Sequence, residues 1–423
     1  MSTSPTLREL SCADDYDPNS MPVPKAREVI AQFLSPISTV ERVAVRAALG
    51  RVLAADVISP VDVPSHDNSA MDGYALRFTD LKTDGKVTLK IAGSSFAGVP
   101  YQGAIKAGEA VRIMTGGVVP AGADTIVMQE HVEAKDGQVR VGGGHKKGQN
   151  LRKAGEDLQR GQPALRQGQP VRPAETGLIA SLGIAEVAVY RRLRVAFFST
   201  GDELVSIGSP LGEGQIYDSN RYTIHGMLTR LGCEVIDMGV IRDDPQLLEA
   251  AFREAAAVAD VVITSGGVSV GEADFVKDLL NKLGEVVFWK IAMKPGRPLA
   301  YGKIGNAHFF GLPGNPVSVM VTFYQFVRDA LLKLSGRDPI EPLPSFRVPC
   351  TSTLKKAPGR TEFQRGVLSR DAAGTLSVRV TGEQGSGILR SMSEANCFII
   401  LPTEQGNVTP GTLVEVQVME GVI

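Results

Sequence analysis

The 423 residues of the chain, of which 43% are hydrophobic, are enough for roughly two to four domains, each with a core of its own. Its 45 Lys and Arg nearly balance its 46 Asp and Glu, so the net charge of −1 gives no overall field that would attract nucleic acid or an anionic membrane. The four cysteines form no CxxC pair and have no histidine at metal-ligand spacing, which disfavours zinc sites and disulfide frameworks. Because we find no leader-like segment and no apolar run of about 20 residues, we expect a cytoplasmic protein that makes no contact with membranes.

The first 60 residues are predicted to form a polar arm followed by two helices. Residues 1–20 are polar, and we expect them to be a loose N-terminal arm. Pro24 suits the first turn of a helix that runs to Phe33. A second short helix is predicted after Thr39 and ends at Gly50; its apolar side consists of Val43, Val45, Ala48 and Leu49.

A small β domain is predicted as an insertion at residues 61–154. From Lys86 to Val141, four runs separated by glycine-containing turns have the composition of strands: VTLKIAG, AVRIMTG, DTIVMQEHVE and QVRVGG. A further helix begins at Pro173 and ends at Gly183, and we expect it to pack on the first helices. Residues 21–60 and 155–190 would then together form an N-terminal helical/linker domain.

Alternating strands and helices in residues 191–341 predict a doubly wound, mostly parallel α/β domain. Its central stretch, DVVITSGGVSVGEADF, combines a buried apolar strand, the pair Gly266 and Gly267, and a helix that opens at Asp274. Paired glycines allow backbone N–H groups to approach an anion, and open α/β sheets bind ligands at the carboxyl ends of their strands. The alternative is a tight turn in which Asp274 serves as the N-cap of the helix.

Acidic and basic residues follow several of these strands. The oxygen ligands of Glu203, Asp243 and Asp274 suit a magnesium ion that is held by a few carboxylates and by substrate phosphates. Basic residues follow a later strand, EVVFWKIAM, or lie within it: Lys290, Lys294 and Arg297. The combination fits an anionic ligand bridged by a divalent cation, although a salt-bridge network would place the same residue types there. A Ser-His-Asp or Cys-His nucleophile, a P-loop and a GxGxxG fingerprint are all absent from the sequence.

Residues 342–423 are predicted to form a C-terminal all-β barrel domain. Five strand-like runs support this: FRVPCTST, FQRGVL, LSVRV, CFIILP and LVEVQV. A glycine- and serine-rich segment from Gln384 to Asn396 contains Ser386 and Arg390, and by itself it is typical of a flexible hairpin loop.

Seven motifs, taken together and in order, resemble the family of molybdopterin molybdenumtransferases that includes MoeA and the E domain of gephyrin. They are SAMDGYA (69–75), RIMTGG (112–117), STGDEL (199–204), GQIYDSN (214–220), GGVSVGEADF (266–275), MKPGRP (293–298) and GLPGNPVS (311–318). Each motif alone is weak, but seven in the family's order extend the resemblance over nearly the whole chain. The implied fold is a multidomain α/β protein of the molybdopterin-binding type.

The resemblance implies the last step of molybdenum cofactor synthesis. In that step molybdate is inserted into the dithiolene of adenylylated molybdopterin, and AMP is released. The resemblance also implies Mg²⁺ on the substrate phosphates and a homodimer in which the inserted β domain of one subunit completes the cleft of the other. Contacts with molybdopterin adenylyltransferase and with the molybdoenzymes that receive the product are further implications.

Individual site residues follow from the same resemblance. It implies catalytic roles for Asp72, Thr115, Glu203, Asp243, Asp274, Lys290 and Lys294, of which Glu203, Asp243 and Asp274 would handle the metal or the pyrophosphate. It implies substrate binding by Arg152, Asp157, Gly266, Gly267, Ser269, Arg297, Pro298 and Ser386. Arg297 stands where the family motif often has lysine, which keeps the charge but changes the donor geometry.

Two alternative functions remain open. The segment from Arg191 to about Pro342 also resembles the single domain of molybdopterin adenylyltransferase, but the inserted and C-terminal domains argue against that enzyme. A non-catalytic scaffold is the other alternative, because the gephyrin relative clusters receptors in neurons. The presence of Asp72, Asp274 and Lys290 favours catalysis, since a scaffold has no need of them.

Overall fold

The computed structural model describes residues 20–267 and 274–419, without the side chains of Asp274, Phe275 and Phe288. The predicted N-terminal arm lies outside the described residues except for residue 20. The described chain is a multidomain α/β protein, as predicted, and its separate sheets pack around several hydrophobic cores. Within these ranges, no helix is both long and apolar enough to cross a membrane.

The first helix belongs to the core of the α/β domain. Helix α1 (Val23–Gln32) begins at the predicted position, with a proline in its first turn. It buries Val23, Ala26, Val29 and Ile30 in the same cluster as the central sheet. The expected packing of the Pro173 helix on this helix is therefore wrong, because the apolar face of α1 is already covered.

The predicted second helix is mostly a strand. Strand β1 (Val40–Ala44) leads into a single 3₁₀ turn (Val45–Ala48), and β2 (Val57–Ile58) follows. Val43 and Val45, two residues apart, fit the period of a strand as well as they fit a helix, and β-branched residues favour strands. The pairing of Val40 with Tyr190, which is far away in the sequence, decides in favour of a strand.

The inserted domain is a six-stranded sheet, as the strand runs predicted. Its elements are β3 (Asn68–Ser69), β4 (Gly73–Leu76), a 3₁₀ turn (Phe78–Asp80), β5 (Val87–Ser95), β6 (Glu109–Ile113), β7 (Thr125–Met128), β8 (Val132–Lys135), β9 (Gln138–Val141) and β10 (Leu151–Arg152). The sheet order is β7-β4-β6-β5-β9-β8, and β10 pairs with β3. The run DTIVMQEHVE is two strands instead of one, because a 3₁₀ turn (Gln129–His131) separates β7 from β8.

After the insertion the chain returns to the N-terminal domain. Strand β11 (Pro163–Leu165) pairs with β2, and β12 (Glu186–Tyr190) pairs with β1. Between them lies α2 (Pro173–Ser181), which begins at the predicted proline and buries Ile179. Helix α2 packs against the 3₁₀ turn that follows β1, in a small cluster with Ala48 and Val189.

The α/β domain is built around a six-stranded, mostly parallel sheet. Its elements are β13 (Arg194–Thr200), β14 (Leu204–Val205), β15 (Ile216–Tyr217), α3 (Ser219–Arg230), β16 (Glu234–Ile241), α4 (Pro245–Val258), β17 (Val261–Ser265), α5 (Asp274–Leu283), β18 (Gly284–Lys290), β19 (Met293–Lys294), β20 (Pro298–Ile304), β21 (Ala307–Leu312), α6 (Pro316–Thr322), a π-helical turn (Phe323–Val327) and α7 (Arg328–Leu334). Helices α1, α3, α6 and α7 cover one face of the sheet and α4 and α5 the other, so the domain is doubly wound.

Strand β20 was not predicted, and it explains how the sheet is ordered. The order is β16-β13-β17-β21-β20-β18; the first four strands are parallel, whereas β20 is antiparallel to both of its neighbours. Gly302 permits the close pairing with β18, because a Cβ there would clash with the backbone of Glu285. Two reversals of direction return β18 to the orientation of the parallel strands. Lys290 at its end therefore lies at the same edge as the ends of β13, β17 and β21.

The C-terminal domain is the predicted barrel. It comprises β22 (Ser345–Pro349), β23 (Thr361–Arg370), β24 (Leu376–Val380), α8 (Leu389–Glu394), β25 (Cys397–Leu401) and β26 (Leu413–Val418). The sheet order is β19-β23-β25-β26-β22, with β24 also on β23, and a bridge between Cys350 and Val378 closes the far side. The predicted hairpin loop at 384–396 is wrong in part, because α8 forms within it. Strand β19 comes from the α/β domain and pairs with β23, which joins the barrel to the α/β domain.

Candidate active site

A cleft of about 860 Å³ lies where the strands of the α/β domain end and the barrel begins. Its wall includes the ends of β13 and β17, the segment from Met293 to Pro298 and the turn from Pro313 to Pro316. The barrel contributes Arg360 and the loop from Gln384 to Ser386. Of the residues proposed from the sequence, the cleft brings together Glu203, Asp243, Gly266, Gly267, Lys294, Arg297, Pro298 and Ser386.

The glycine pair after β17 forms a bare stretch of backbone. Gly266 and Gly267 have φ angles of +91° and +68°, in the region that side chains disfavour. A Cβ at Gly266 would lie 2.6 Å from the carbonyl oxygen of Thr200, so only glycine lets the two strand ends approach so closely. Ser269 follows this turn but lies outside the described residues. Both φ angles are positive, the conformation in which successive backbone N–H groups can point at an anion.

A polar wall beside the glycines comes from the start of α3, and sequence analysis assigned it no binding role. Asn220 donates through Nδ2 to Ser265 Oγ at 2.8 Å and to the carbonyl oxygen of Gly314 at 2.6 Å, which ties α3 to two strand ends. Asp218 caps α3 and accepts from the backbone N–H of Arg221 at 3.1 Å. Three buried oxygens in this wall have no hydrogen-bond partner in the described chain: Thr200 Oγ1, Asp218 Oδ2 and Asn220 Oδ1. Asp218 and Asn220 belong to the motif GQIYDSN, and the polar residues at the end of this motif are the sequence signal that could have indicated a binding role.

The acidic residues of the cleft supply oxygen donors. Glu203 folds over Gly201, where a Cβ would lie 2.5 Å from a carboxylate oxygen. The backbone N–H of Asp243 donates to Asp202 Oδ1 at 3.4 Å, which links the turn after β16 to the turn after β13. Helix α5 begins at Asp274 as predicted, and Val276 in its first turn lines the cleft, but the side chain of Asp274 is not described.

These donors fit a magnesium ion that takes only part of its ligands from the protein. No three His, Cys, Asp or Glu side chains lie at metal-binding positions relative to one another in residues 20–267 and 274–419, with Asp274 uncounted. Magnesium commonly uses one or two carboxylates and completes its octahedral shell with phosphate oxygens and water. Glu203 and Asp243, together with the unpartnered Oδ2 of Asp218, are oxygen donors of the required kind in one cleft.

Positive charge lines the side of the cleft that faces the barrel. Lys294 Nζ lies 3.3 Å from Glu362 Oε1, and the exposed fraction of the lysine side chain is 52% whereas that of the glutamate is 7%. Arg297 and Arg360 also line the cleft. Arg360 was missed, because a lone arginine in a Pro-Gly turn carries no signal of its own. Lys290 lies at the same sheet edge, opposite Pro298 in the pairing of β18 with β20, but it is not part of the cleft lining.

The barrel loop that carries Ser386 is held by a buried arginine. Arg365 on β23 is 1% exposed and donates to Ser391 Oγ at 3.0 Å and to the carbonyl oxygens of Gln384 at 3.1 Å and Gly385 at 2.9 Å. The backbone N–H of Val317 donates to the carbonyl oxygen of Ser386 at 3.1 Å, which fixes the loop on the first turn of α6. Burial lowers the pKa of Arg365 to about 10, so the guanidinium is charged at neutral pH. Sequence analysis missed this residue as well.

Four residues proposed from the inserted domain and the segment just after it are not part of this cleft. Asp72 Oδ1 accepts from the backbone N–H of Thr115 at 2.7 Å and from its hydroxyl at 2.8 Å, so the two predicted residues form one unit. These bonds, the backbone one first, hold the pKa of Asp72 below its usual range. Arg152 on β10 and Asp157 after it are both exposed. None of the four lines the cleft of its own chain.

Comparison with known proteins agrees with this geometry. Residues 21–183 match the family model described as the MoeA N-terminal region (domain I and II), residues 196–333 match the probable molybdopterin binding domain, and residues 347–419 match the MoeA C-terminal region (domain IV). A molybdopterin molybdenumtransferase of Haemophilus influenzae is 48% identical over 391 residues, covering 92% of this chain and 96% of that protein. The chain belongs to the MoeA family. The predicted family is thereby confirmed.

Solved MoeA structures have the same architecture. A molybdopterin biosynthesis MoeA protein from Pyrococcus horikoshii is 34% identical with a TM-score of 0.79, covering 96% of this chain and 100% of that one. A second structure from the same organism is 28% identical with a TM-score of 0.82, covering 95% of this chain and 100% of that one. The predicted multidomain α/β fold class is therefore confirmed over nearly the whole length.

Proposed function

We propose that this protein is a molybdopterin molybdenumtransferase, which inserts molybdate into adenylylated molybdopterin and releases AMP. The observation that carries the proposal is the composition of one cleft in a MoeA-family chain. Bare glycine backbone, carboxylate oxygens and three cationic side chains surround the same space. These groups are what an adenylylated substrate requires. Its pyrophosphate needs backbone donors and a bridging cation held by carboxylates, and a separate oxyanion needs cationic side chains.

The nucleotide end of the substrate fits the glycine side of the cleft. The pyrophosphate lies against Gly266 and Gly267, where backbone without side chains permits close approach. Pro298 contributes a rigid wall beside them, and Ser269, which follows the glycine pair in the sequence, is proposed to bind the same part of the substrate. The exposed Ile216 and Tyr217 at the rim offer apolar surface for a flat ring.

The oxyanion fits the cationic side of the cleft. Lys294 and Arg297 provide fixed positive charge for molybdate, Ser386 provides a hydroxyl donor, and Lys290 adds positive charge at the same edge. The sulfur ligands of molybdenum come from the substrate dithiolene, so the protein needs no cysteine cluster there. Glu203, Asp243 and Asp274 would hold Mg²⁺, which would neutralise part of the negative charge on the substrate phosphates.

The working form in this proposal is a cytoplasmic homodimer. Asp72, Thr115 and Arg152 on the inserted domain, and Asp157 just after it, lie outside the cleft of their own chain, so a second copy of the chain brings them to it. Exposed Met71 beside Asp72 offers apolar surface for that contact. Molybdopterin adenylyltransferase, which supplies the substrate, and the molybdoenzymes that receive the product are the proposed protein partners.

The deciding experiment measures AMP release from adenylylated molybdopterin by the purified protein with Mg²⁺, with and without molybdate, alongside metallated product. Release of AMP that depends on molybdate and stops when EDTA removes the metal would support both the transferase and its cation. Consumption of ATP and free molybdopterin would instead identify an adenylyltransferase. If neither reaction occurred, a binding or scaffolding role would replace the proposal.

A further inference from the structure

A second cavity lies at the seam between the N-terminal domain and the α/β domain, where Leu193 precedes β13, whereas Thr200 at the other end of β13 lines the active-site cleft. Its volume is about 240 Å³. The N-terminal domain contributes the turn at Gly50 and the segment just before α2, and the α/β domain contributes the carboxyl ends of α3 and α7. No part of the proposed mechanism uses this space.

The lining of this cavity is strongly cationic. Six of its residues are arginines and none of the described lining residues is acidic; the arginines are Arg51, Arg172, Arg191, Arg192, Arg230 and Arg337. Carboxylates outside the lining pair with three of them: Glu41 with Arg51, Glu175 with Arg172 and Asp260 with Arg191. Glu341, also outside the lining, attracts Arg172 and Arg337, so acids around the cavity offset part of the positive charge of its lining.

Part of this charge stabilises helix ends. The carboxyl ends of α3 and α7 carry unpaired carbonyl groups, and cationic side chains nearby are favourable. Arg192 donates through Nη1 to the carbonyl oxygen of Gly232 at 2.8 Å, just beyond α3. Such capping accounts for one N–H group of Arg192 and for the position of Arg230 in the last turn of its helix.

Helix capping does not account for Arg337. Its Nε is buried and has no hydrogen-bond partner in the described part of the chain. The residue is fixed in place, because its backbone N–H donates to the carbonyl oxygen of Leu332 at 3.1 Å and the preceding Gly336 packs on the ring of Tyr190 with φ of +87°. Burial lowers its pKa and the neighbouring Arg328 lowers it further, although Glu341 opposes this change. A buried charged donor without an acceptor is costly unless a ligand supplies one.

We propose that this cavity is a binding site for a small tetrahedral oxyanion, with Arg337 as the main donor and Arg192 as the second. A guanidinium presents fixed N–H groups that match the oxygens of such an anion, and several guanidiniums can share one dianion. Phosphate, sulfate and molybdate share this chemistry. The bound anion joins the two domains at their seam, so binding stabilises the folded chain.

The first test locates the anion directly. Crystals of the full-length protein are soaked with selenate, and the anomalous signal of selenium is mapped. The expected result is a peak in the arginine cavity, within hydrogen-bond distance of Arg337. A map with a peak only in the active-site cleft, or with none, would overturn the proposal.

The second test measures affinity. Calorimetric titrations with phosphate, sulfate and molybdate at constant ionic strength use a Lys294→Ala background, which weakens anion binding in the active-site cleft. We expect one saturable site, weakened about tenfold or more by Arg337→Gln. The matched control is Arg253→Gln, which removes an exposed arginine paired with Glu249 on α4 and should leave the affinity unchanged.

The three anions separate the sources of the ligand, since the tightest of them is the preferred occupant. If Arg337→Gln fails to fold by near-ultraviolet circular dichroism, Arg192→Gln takes its place, with a smaller loss expected. Affinity within twofold of the parent in the folded variant would contradict the proposal. The outcome is independent of the proposed catalytic function, because AMP release is not measured here.

Discussion

At the scale of single residues, the position of Lys294 defines the cationic side of the cleft. Its ammonium group lies beside the buried carboxylate of Glu362, which also accepts from Gln364 Nε2 at 2.9 Å. The lysine is thus held on the wall of the cleft, and its positive charge is partly offset by a neighbour. An oxyanion at this position competes with Glu362 for the same donor.

The first prediction concerns Lys294→Ala. Because the lysine is half exposed and already paired, we expect molybdate binding to weaken by about tenfold, near the lower limit for a lost charge-assisted contact. Binding of adenylylated molybdopterin should change much less. Calorimetry with each ligand separately checks this, with Lys303→Ala, at the opposite end of β20, as the control. Equal weakening for both ligands would place Lys294 on the nucleotide instead.

Sequence reasoning found the residues of the site whose chemistry is visible locally. Gly266 and Gly267 were recognised because paired glycines directly after an apolar strand leave backbone open to an anion, and Lys294 and Arg297 stand out beside prolines. Asn220 and Arg365 were missed, because their roles depend on partners far away in sequence, such as Ser265 and Gly385. Nothing in a single sequence marks an arginine on a strand as a loop anchor.

At the scale of elements, Arg365 connects the interior of the barrel to the cleft. Four donor contacts from one buried guanidinium hold the segment that contains Gln384 to Ser386 and the start of α8; besides those to Ser391, Gln384 and Gly385, one reaches the carbonyl oxygen of Glu383 at 3.4 Å. A glycine-rich segment has little preference for one conformation of its own. The order of the loop therefore depends on this side chain.

The second prediction follows for Arg365→Met. Loss of the donors leaves buried carbonyl groups unpaired, and we expect the free energy of unfolding to fall by roughly 2–5 kcal/mol. Amide hydrogen exchange should speed up at residues 383–391 before it changes elsewhere in the barrel. In turnover assays KM should rise more than kcat falls, with partial recovery in Arg365→Lys. Unchanged exchange in this segment would show that other contacts hold the loop.

Elements were predicted best where the signal lies within the element. Pro24 and Pro173 each marked the start of a helix, and the structure has both helices. The strands β1 and β20 were missed, because their partners decide their conformation: β1 pairs with β12 and β20 with β18 and β21. Gly302 in the middle of β20 even weakens the local signal for a strand, although the close approach of β18 requires it.

The third prediction is a pH dependence that originates in β21. Burial, and then the nearby charge of Lys303, lowers the pKa of His308 from 6.5 to about 4, although Asp260 opposes this. Between those pH values the unfolded chain binds a proton that the folded chain does not, so stability is lost as the pH falls. At 1.36 kcal/mol per pH unit, the loss from this residue between pH 7 and pH 4 is roughly 3 kcal/mol.

Chemical denaturation at a series of pH values measures this effect. His308→Gln should remove that part of the pH dependence, whereas His131→Gln, at an exposed position, should leave the profile of the wild type unchanged. Parallel profiles for the wild type and His308→Gln would mean that His308 titrates normally in the folded protein.

At the scale of the whole molecule, the separation of two groups of site residues demands an explanation. Lys294, Glu203 and Asp243 line one cleft, whereas the bonded pair Asp72 and Thr115 lies on the inserted domain, outside that lining. Two copies related by a twofold axis would supply each cleft with the inserted domain of the partner, because an isologous contact is made twice. The proposed dimer is therefore testable through catalysis as well as through mass.

The fourth prediction is complementation between two variants, each of which is impaired in one of these two groups of site residues. Asp72→Asn keeps an oxygen that can accept from Thr115, so the chain should fold while the carboxylate charge is lost. Lys294→Ala disables the other group. When the two variants are co-expressed with different tags and the mixed dimer is purified through both, one cleft contains Asp72 and Lys294 intact and the other contains neither. Turnover should therefore recover to about half of the wild-type value per dimer.

The control is a mixed dimer of Asp84→Asn and Lys294→Ala, which should also reach about half of the wild-type turnover, since Asp84 is an exposed residue outside the proposed site. If the first mixed dimer stayed inactive while this control reached half, each cleft would have to be completed within its own chain, and the two domains would have to move together during turnover.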